Sequence, residues 1–326
     1  MTFATESGEM ASYGEPGGTA SAEKNVSRET GLSDTPLGDQ AAKDARRRVT
    51  LLDAVFPKPD RTRVITIANQ KGGVGKTSSA VNLAAALAIA GARVLVVDTD
   101  PQGNASTALS TPHSQGTPSV YDVLLGNKPM SEAVVACPQV SNLWCVPATI
   151  DLSGAEIELV ALPGREHRLY HAVEELRRTL AQAGEQPLDY IIIDCPPSLG
   201  LLTLNGFVAG REVLIPIQCE YYALEGLSQL LHTIELIHDR LNPELHLSAI
   251  LLTMFDVRTK LAHDVVAEVR RHFPDQVLGA AIPRSVRVSE APGYGQTVLT
   301  YDPSSSGALA YMEAARELSE KGSYHG

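Results

Sequence analysis

Two lysines, three glycines and two hydroxyl side chains are concentrated in residues 69–78, which read Asn-Gln-Lys-Gly-Gly-Val-Gly-Lys-Thr-Ser. An apolar run at 64–68 precedes this segment, and an alanine- and leucine-rich run at 80–88 follows it. A strand, a glycine-rich turn and a Lys-Thr pair at a helix start form the context of a phosphate-binding loop. Backbone N–H groups in such a loop surround the phosphate oxygens. We therefore expect Lys76 to contact the β- and γ-phosphates of a nucleotide and Thr77 to ligate Mg²⁺.

Carboxylates follow two further apolar runs. Asp98 and Asp100 stand at the end of the run 94–98, and Asp194 ends a run of Tyr-Ile-Ile-Ile. The carboxyl ends of parallel strands form the edge where ligands bind, so these carboxylates are expected near the phosphates. An apolar strand ending in Asp is typical of a Walker B motif, which holds Mg²⁺ directly or through a water. The set predicts phosphoryl transfer to water, for which the protein supplies positioning and charge neutralisation.

The chain as a whole is acidic and has an ordinary globular composition. Its 326 residues carry a net charge of −11, and 44% of them are hydrophobic and 20% charged. This length and hydrophobic content are sufficient for a large core. No apolar run reaches the roughly 18 residues of a membrane-spanning helix, and no signal peptide is evident. The four cysteines form no C-x-x-C pair, so neither a metal site nor a disulfide framework is predicted. We expect a cytoplasmic protein.

Two regions differ in composition. Residues 1–60 are predicted to be a disordered extension with a short helix near 41–56, because large apolar residues are rare in most of this stretch. From 61 to 322 the pattern alternates between helices and near-continuous Val, Ile and Leu runs, which are typical of strands buried on both faces of a parallel sheet. The predicted fold class is α/β, a doubly wound, mostly parallel sheet with helices on both faces. The predicted strands are 64–68, 94–98, 142–147, 189–194, 212–217, 247–254 and 277–282. The predicted helices are 77–90, 155–161, 166–183, 223–239, 261–272 and 305–320, with a short one near 121–126.

These motifs together resemble the ParA/MinD family of ATPases with a deviant Walker A motif, and chromosome-partitioning ParA (Soj) most closely. The family's mark is a second lysine at the start of the loop, here Lys71. The segment after the strand 94–98 reads Asp-Thr-Asp-Pro-Gln-Gly-Asn, which is similar to the family's D-x-D-P-Q-G-N box. The segment around Glu220 is similar to one on the family's nucleotide and dimer side. The resemblance covers 61–322 and implies a P-loop NTPase fold.

The resemblance also implies roles for individual residues. Lys71 would cross a dimer interface to the nucleotide of the partner subunit. Asp98 would support Mg²⁺ through a water, and Asp100 would position the attacking water. The catalytic residues would then be Lys71, Lys76 and Asp100, and the residues around the metal Thr77, Asp98 and Asp194. The ATP-binding residues would be Lys71, Gly72, Gly73, Val74, Gly75, Lys76, Thr77, Ser78 and, at the adenine, Pro283.

A locally basic stretch lies between Arg258 and Arg287. It contains six arginines and lysines against three acidic residues. Two segments within it resemble segments of chromosomal ParA that contact DNA, so Arg258, Arg284 and Arg287 are expected to contact the DNA backbone. Such contacts are independent of base sequence. For Arg270 and Arg271, on a predicted amphipathic helix, a solvated face is an equally good interpretation.

The implied function is a slow, partner-stimulated ATPase that forms an ATP-sandwich homodimer, binds double-stranded DNA non-specifically and partitions a chromosome or plasmid with a ParB-type protein. A nucleoid-associated location follows. A ParA-like positioner of another cargo is an alternative that the motifs cannot distinguish. A MinD-type membrane switch would need an amphipathic C-terminal helix, but the tail has few large apolar residues. An electron carrier would need cluster-ligating cysteines, and Asp100 and Asp194 argue against a non-catalytic scaffold.

Overall fold

The computed structural model describes residues 46–51, 54–220 and 223–323, with the backbone alone described at 223–225 and 322–323. Most of the predicted N-terminal extension therefore lies outside the described residues. Its described part includes a helical turn at 46–51, within the stretch where a short helix is predicted. Leu51 of this turn is buried, and the Arg47 guanidinium donates two hydrogen bonds of 2.9 and 2.6 Å to the Glu313 carboxylate. These contacts hold the turn against the C-terminal helix.

The described strands form one mostly parallel sheet. They are β1 (Arg63–Ile67), β2 (Val94–Asp98), β3 (Val135–Ala136), β4 (Leu143–Val146), β5 (Tyr190–Asp194), β6 (Glu212–Gln218), β7 (His246–Phe255) and β8 (Val277–Pro283). Their order across the sheet is β3-β4-β2-β5-β1-β6-β7-β8, and β3 alone runs antiparallel to its neighbour. In the registers of the central strands, Asp194 is the partner of both Asp98 and Ile67. The carboxyl ends of β1, β2 and β5 therefore meet at one edge.

Helices cover both faces of the sheet. Strand residues alternate between the two sides: Ile191 and Ile193 pack with one set of helices, and Ile192 packs with the other. The fold class predicted from the sequence is confirmed. The helices are α1 (Lys76–Ile89), α2 (Asn104–Ala108), α3 (Val120–Leu125), α4 (Met130–Ala133), α5 (Leu152–Val160), α6 (Arg168–Gln182), α7 (Leu201–Ala209), α8 (Ala223–Arg240), α9 (Lys260–His272), α10 (Val286–Glu290), α11 (Val298–Tyr301) and α12 (Ser306–Ser323), with a 3₁₀ turn at Ala291–Tyr294.

The seven predicted strands agree with β1, β2 and β4–β8 to within a residue or two at each end. The six longer predicted helices correspond to α1, α5, α6, α8, α9 and α12, and the short one to α3. The prediction missed β3, which has only two residues at the sheet edge, and the short helices α2, α4, α10 and α11. It also missed α7, most of which is buried. A fully buried helix is apolar on all sides and has no amphipathic pattern by which to recognise it.

The C-terminal helix α12 is part of the core. Leu309, Tyr311, Ala314 and Leu318 are each almost completely buried on it. Among the described helices, none combines the length and the apolar character needed to cross a membrane.

Candidate functional site

The glycine-rich segment 69–78 forms the turn between β1 and α1. Gly73 and Gly75 have φ angles of 74° and 87°, which side chains with a Cβ rarely adopt. The Thr253 hydroxyl on β7 donates a 2.8 Å hydrogen bond to the Val74 carbonyl. Two neighbouring strands thus help to fix the loop, since Asn69 also donates one of 2.8 Å to a carbonyl on β6. Hydrogen bonds within the chain itself therefore contribute to the shape of the loop.

Lys76 is the first residue of α1 and is only 7% exposed. Its Nζ donates a 3.0 Å hydrogen bond to the Lys71 carbonyl, which keeps the side chain curled over the loop. Burial lowers the pKa of Lys76, while the negative charges of Asp194 and Asp100 act in the opposite direction. An ammonium group held in a loop of N–H donors can neutralise the charge of a phosphate.

Asp98 is completely buried at the end of β2. Its Oδ2 accepts hydrogen bonds from the Ser106 hydroxyl (2.6 Å) and backbone N–H (2.8 Å), and its Oδ1 accepts one from the Asp100 N–H (3.2 Å). Burial raises the pKa of Asp98 to about 6, against these hydrogen bonds. Asp100 is 8% exposed, and its Oδ1 accepts a 3.0 Å hydrogen bond from the Gln102 N–H. The strand end is therefore rigid, with Asp100 oriented by its own turn.

Asp194 is equally buried, but neither of its carboxylate oxygens has a hydrogen-bond partner among the described residues. Burial raises the pKa of Asp194 well above its usual range, and the charge of Asp98 adds to this effect. The Thr77 hydroxyl and Lys76 act in the opposite direction. A buried carboxylate of this kind is costly unless it is paired or coordinates a cation.

This arrangement fits Mg²⁺. The ion commonly uses one or two carboxylates, substrate phosphates and several waters rather than a cage of protein ligands. Among the described residues, no cluster of three or more His, Cys, Asp or Glu side chains able to hold a metal is found. Asp194 and Thr77 are the residues that would hold the ion beside the phosphates.

A cavity of about 150 Å³ adjoins the loop. Gly75 and Ser78 line it from the loop, and Thr253 and Pro283 line it from the ends of β7 and β8. The structure thus brings the predicted adenine-contacting residue Pro283 to the same cavity as two loop residues.

Lys71 lies outside this buried cluster. Its side chain is 44% exposed, and its Nζ is 2.7 Å from Glu220 Oε2. Beside it, Gly72 is open: a Cβ placed there would have no neighbour within 4 Å.

The three predicted DNA-binding arginines lie shortly after β7 and β8, with Arg287 on α10. Arg258, with an 84% exposed side chain, makes two hydrogen bonds to Asp256 (2.9 and 2.8 Å), and these hold the pKa of Asp256 well below its usual range. Arg287 is within 3.3 Å of Glu290 and 3.5 Å of Asp302. Arg284 is exposed and follows Pro283 directly. Two of the three guanidinium groups therefore already have acidic neighbours.

The structure also supplies partners that the sequence did not identify. Ser106 binds Asp98, Thr253 supports the loop and Glu220 binds Lys71. Each contact joins residues that are distant in sequence or follow an unpredicted turn. In the sequence, the position of Ser106 and Glu220 shortly after a predicted strand is the one feature that points to a role at the site.

Comparison with known proteins shows which family of sequences the chain resembles. A family model described as an AAA domain matches residues 62–247. The chromosome partitioning protein ParA of Myxococcus xanthus is 52% identical over 79% of this chain and 88% of its own length. The sporulation initiation inhibitor protein Soj of Bacillus subtilis is 50% identical over 80% and 99% of the two chains.

Solved structures are also similar. A cobyrinic acid a,c-diamide synthase from Mycobacterium smegmatis, with bound ATP analog and magnesium, has a TM-score of 0.65 and 40% identity over 78% of this chain and 93% of that one. The cell division ATPase MinD of Pyrococcus furiosus has a TM-score of 0.63 and 26% identity over 79% and 98% of the two chains.

Proposed function

The chain belongs to the ParA/Soj family of chromosome-partitioning ATPases, and from this premise we propose that it is a nucleotide-driven switch. It binds ATP with Mg²⁺, pairs with a second copy of itself and then holds DNA without sequence preference. Hydrolysis of ATP to ADP and phosphate is slow and ends this state. A ParB-type protein accelerates the hydrolysis.

The buried carboxylate of Asp194 beside Lys76 is the observation that carries ATP and Mg²⁺ binding. The backbone of residues 71–78 surrounds the phosphates, and Lys76 neutralises their charge. Thr77 and Asp194 hold the metal, and Asp98, at the neighbouring strand end, supports it through a water. Mg²⁺ supplies charge neutralisation at the phosphate oxygens. Pro283 contacts the adenine across the adjoining cavity. The ATP analog and magnesium bound to the similar synthase from Mycobacterium smegmatis support this choice of ligands.

Asp100 is proposed to orient the water that attacks the γ-phosphorus. A bond forms between the water oxygen and phosphorus as the bond to the β–γ bridging oxygen breaks, which leaves ADP and inorganic phosphate. The turn at Gln102 fixes Asp100 Oδ1, so the carboxylate keeps its direction without help from the ligand. The chain contributes positioning rather than a covalent step.

Lys71 is proposed to act across a dimer interface, at the nucleotide of the partner subunit. Its exposed side chain and the open surface at Gly72 support this role. ATP would then lie between two copies of the chain, so that dimerisation would depend on which nucleotide is bound.

DNA binding is proposed for Arg258, Arg284 and Arg287, all near the ends of β7 and β8. Asp256 and Glu290 do not prevent such contacts, since exposed ion pairs contribute little and can exchange partners. The surface would bind phosphates, which places the ATP-bound protein on the nucleoid. The cargo is set by the partner protein, so a ParA-like positioner of another cargo is the second candidate.

A membrane switch is less favoured by the fold. Such a switch needs an amphipathic helix with a free apolar face, whereas α12 buries its apolar side chains in the core.

Replacement of Asp100 tests the proposed catalytic role. We expect Asp100→Ala to bind ATP with unchanged affinity while phosphate release falls by about 10²-fold or more, the scale of a lost positioning group. Asp151→Ala, which removes a partly exposed carboxylate just before α5, serves as the control. If Asp100→Ala abolished ATP binding, Asp100 would belong to the metal site rather than to the water.

A further inference from the structure

The two loop lysines are held in different ways, and the difference concerns Glu220. Lys76 is buried and bonded to the loop's own backbone. Lys71 instead makes a 2.7 Å ion pair with Glu220, 149 positions away in the sequence. The ammonium group that defines the family is therefore held outside its own phosphate-binding loop.

Both members of this pair are attached to the carboxyl end of β6. The Lys71 N–H donates a 3.0 Å hydrogen bond to the Asn69 side chain, whose amide donates to the Pro216 carbonyl on β6. On the other side, the Gln218 amide donates a 2.6 Å hydrogen bond to Glu220 Oε1. Glu220 Oε2 is left to face Lys71, so hydrogen bonds to residues of β6 prearrange the pair on both sides.

We propose that Glu220 is a positioning residue that retains Lys71 within its own subunit until the dimer forms. This inference rests on the proposed ATP-bridged dimer. Formation of the dimer would move the ammonium group from the Glu220 carboxylate to the nucleotide of the partner. The carboxylate and the phosphate compete for one cation, so the pair opposes premature pairing of subunits.

The ion pair between Lys71 and Glu220 is weak enough for Lys71 to exchange the carboxylate for a phosphate. Both side chains are about half exposed, at 44% and 50%. An exposed ion pair contributes little, so breaking it changes an equilibrium by about two- to fivefold. A polyphosphate with several negative charges can displace a single carboxylate at that cost, whereas a buried pair would not release the lysine.

Reactivity of the Lys71 amine measures its retention directly. The full chain is treated briefly with an amine-acylating reagent, and labelling at each lysine is quantified by mass spectrometry. Without nucleotide, we expect Glu220→Gln to raise Lys71 labelling about two- to fivefold, because the amine is no longer paired. Lys58, which pairs with Asp189 at 3.1 Å, is the internal reference and should not change. Glu244→Gln removes a comparable 2.7 Å surface pair with Arg211 and should leave Lys71 labelling unaltered.

The same assay tests the retention of Lys71 by Glu220 and the ATP-bridged dimer independently. With Mg²⁺ and a slowly hydrolysed ATP analogue, Lys71 should be protected in both the wild-type and Glu220→Gln proteins, and their labelling should become equal. Equal Lys71 labelling in the absence of nucleotide would overturn the retention by Glu220. A clear increase in Glu220→Gln without any protection by the ATP analogue would uphold the retention and reject the ATP-bridged dimer.

Discussion

At the scale of single residues, two lysines five positions apart differ in burial and partner. Lys76 is buried among Asp100 and Asp194, and Lys71 is exposed beside Glu220. The buried ammonium group partly offsets the cost of the carboxylates around it. The exposed one has a weak pair that it can leave. Neither difference follows from residue type, since both are lysines of one glycine-rich loop.

The buried Asp194 carboxylate, whose oxygens have no hydrogen-bond partner among the described residues, leads to a prediction about the metal. Asp194→Asn should keep much of the ATP affinity measured in EDTA but lose the gain in affinity that Mg²⁺ gives the wild-type protein. A hydrogen bond to a charged group contributes about 1.5–3 kcal/mol. We expect a carboxylate contact with Mg²⁺ to contribute at least as much, so the gain should shrink by about tenfold or more. Isothermal titration calorimetry with and without Mg²⁺ measures it, with Asp151→Asn as the control. A full Mg²⁺ effect in the Asp194→Asn protein would show that another group holds the ion.

At the scale of the elements, the carboxyl edge of the sheet collects the site. β1 ends at the loop, β2 at Asp98, β5 at Asp194 and β6 just before Glu220. Long Val, Ile and Leu runs specify these strands, and buried parallel strands need little else. The order of the strands then brings together side chains that are as much as 149 positions apart.

Sequence patterns predicted most of the strands and the residue types of the site, but not its internal contacts. The bond between Asp98 and Ser106 depends on α2, a five-residue helix whose length gives no periodic signal. The ion pair of Lys71 with Glu220 depends on the neighbouring positions of β1 and β6 in the sheet. Such contacts are set by tertiary packing and are not encoded in any local pattern.

Gly72 gives a prediction about the loop as an element. A side chain here has open space within its own chain, and Gly72 is not among the glycines with positive φ. Gly72→Val should therefore keep the fold and ATP affinity while it blocks ATP-dependent dimerisation, since a partner must approach closely at this point. Gly293→Val, at another open glycine, is the matched control and should dimerise normally. Normal dimerisation of the Gly72→Val protein in light scattering would contradict the proposed interface.

At the scale of the whole molecule, a net charge of −11 means that DNA can be held only where positive charge is concentrated. Arg258 and Arg287 are 84% and 55% exposed, so both can reach phosphates. Two subunits would present the same surface twice. The geometry favours a binding mode that salt weakens strongly.

Charge reversal tests this surface. Arg258→Glu with Arg287→Glu should abolish ATP-dependent DNA binding but leave dimerisation intact. The wild-type affinity should fall with salt at a log–log slope of about −0.9 per phosphate contact. For each single variant, a dimer losing two contacts should have a slope shallower by about two such units. Arg211→Glu is the control, because Arg211 lies just before β6, at the amino ends of the parallel strands and away from this surface. Unchanged affinity and slope in fluorescence anisotropy would reject the surface.

The coupling of ATP to subunit pairing is the central claim, and the mass of the protein in solution tests it most directly. Sedimentation equilibrium of the wild-type chain should give 34.8 kDa with Mg²⁺ and ADP, because ADP lacks the γ-phosphate that Lys71 would contact. With Mg²⁺ and a slowly hydrolysed ATP analogue at saturating concentration, the mass should double. A mass that stays at 34.8 kDa while calorimetry shows the analogue bound would contradict the account.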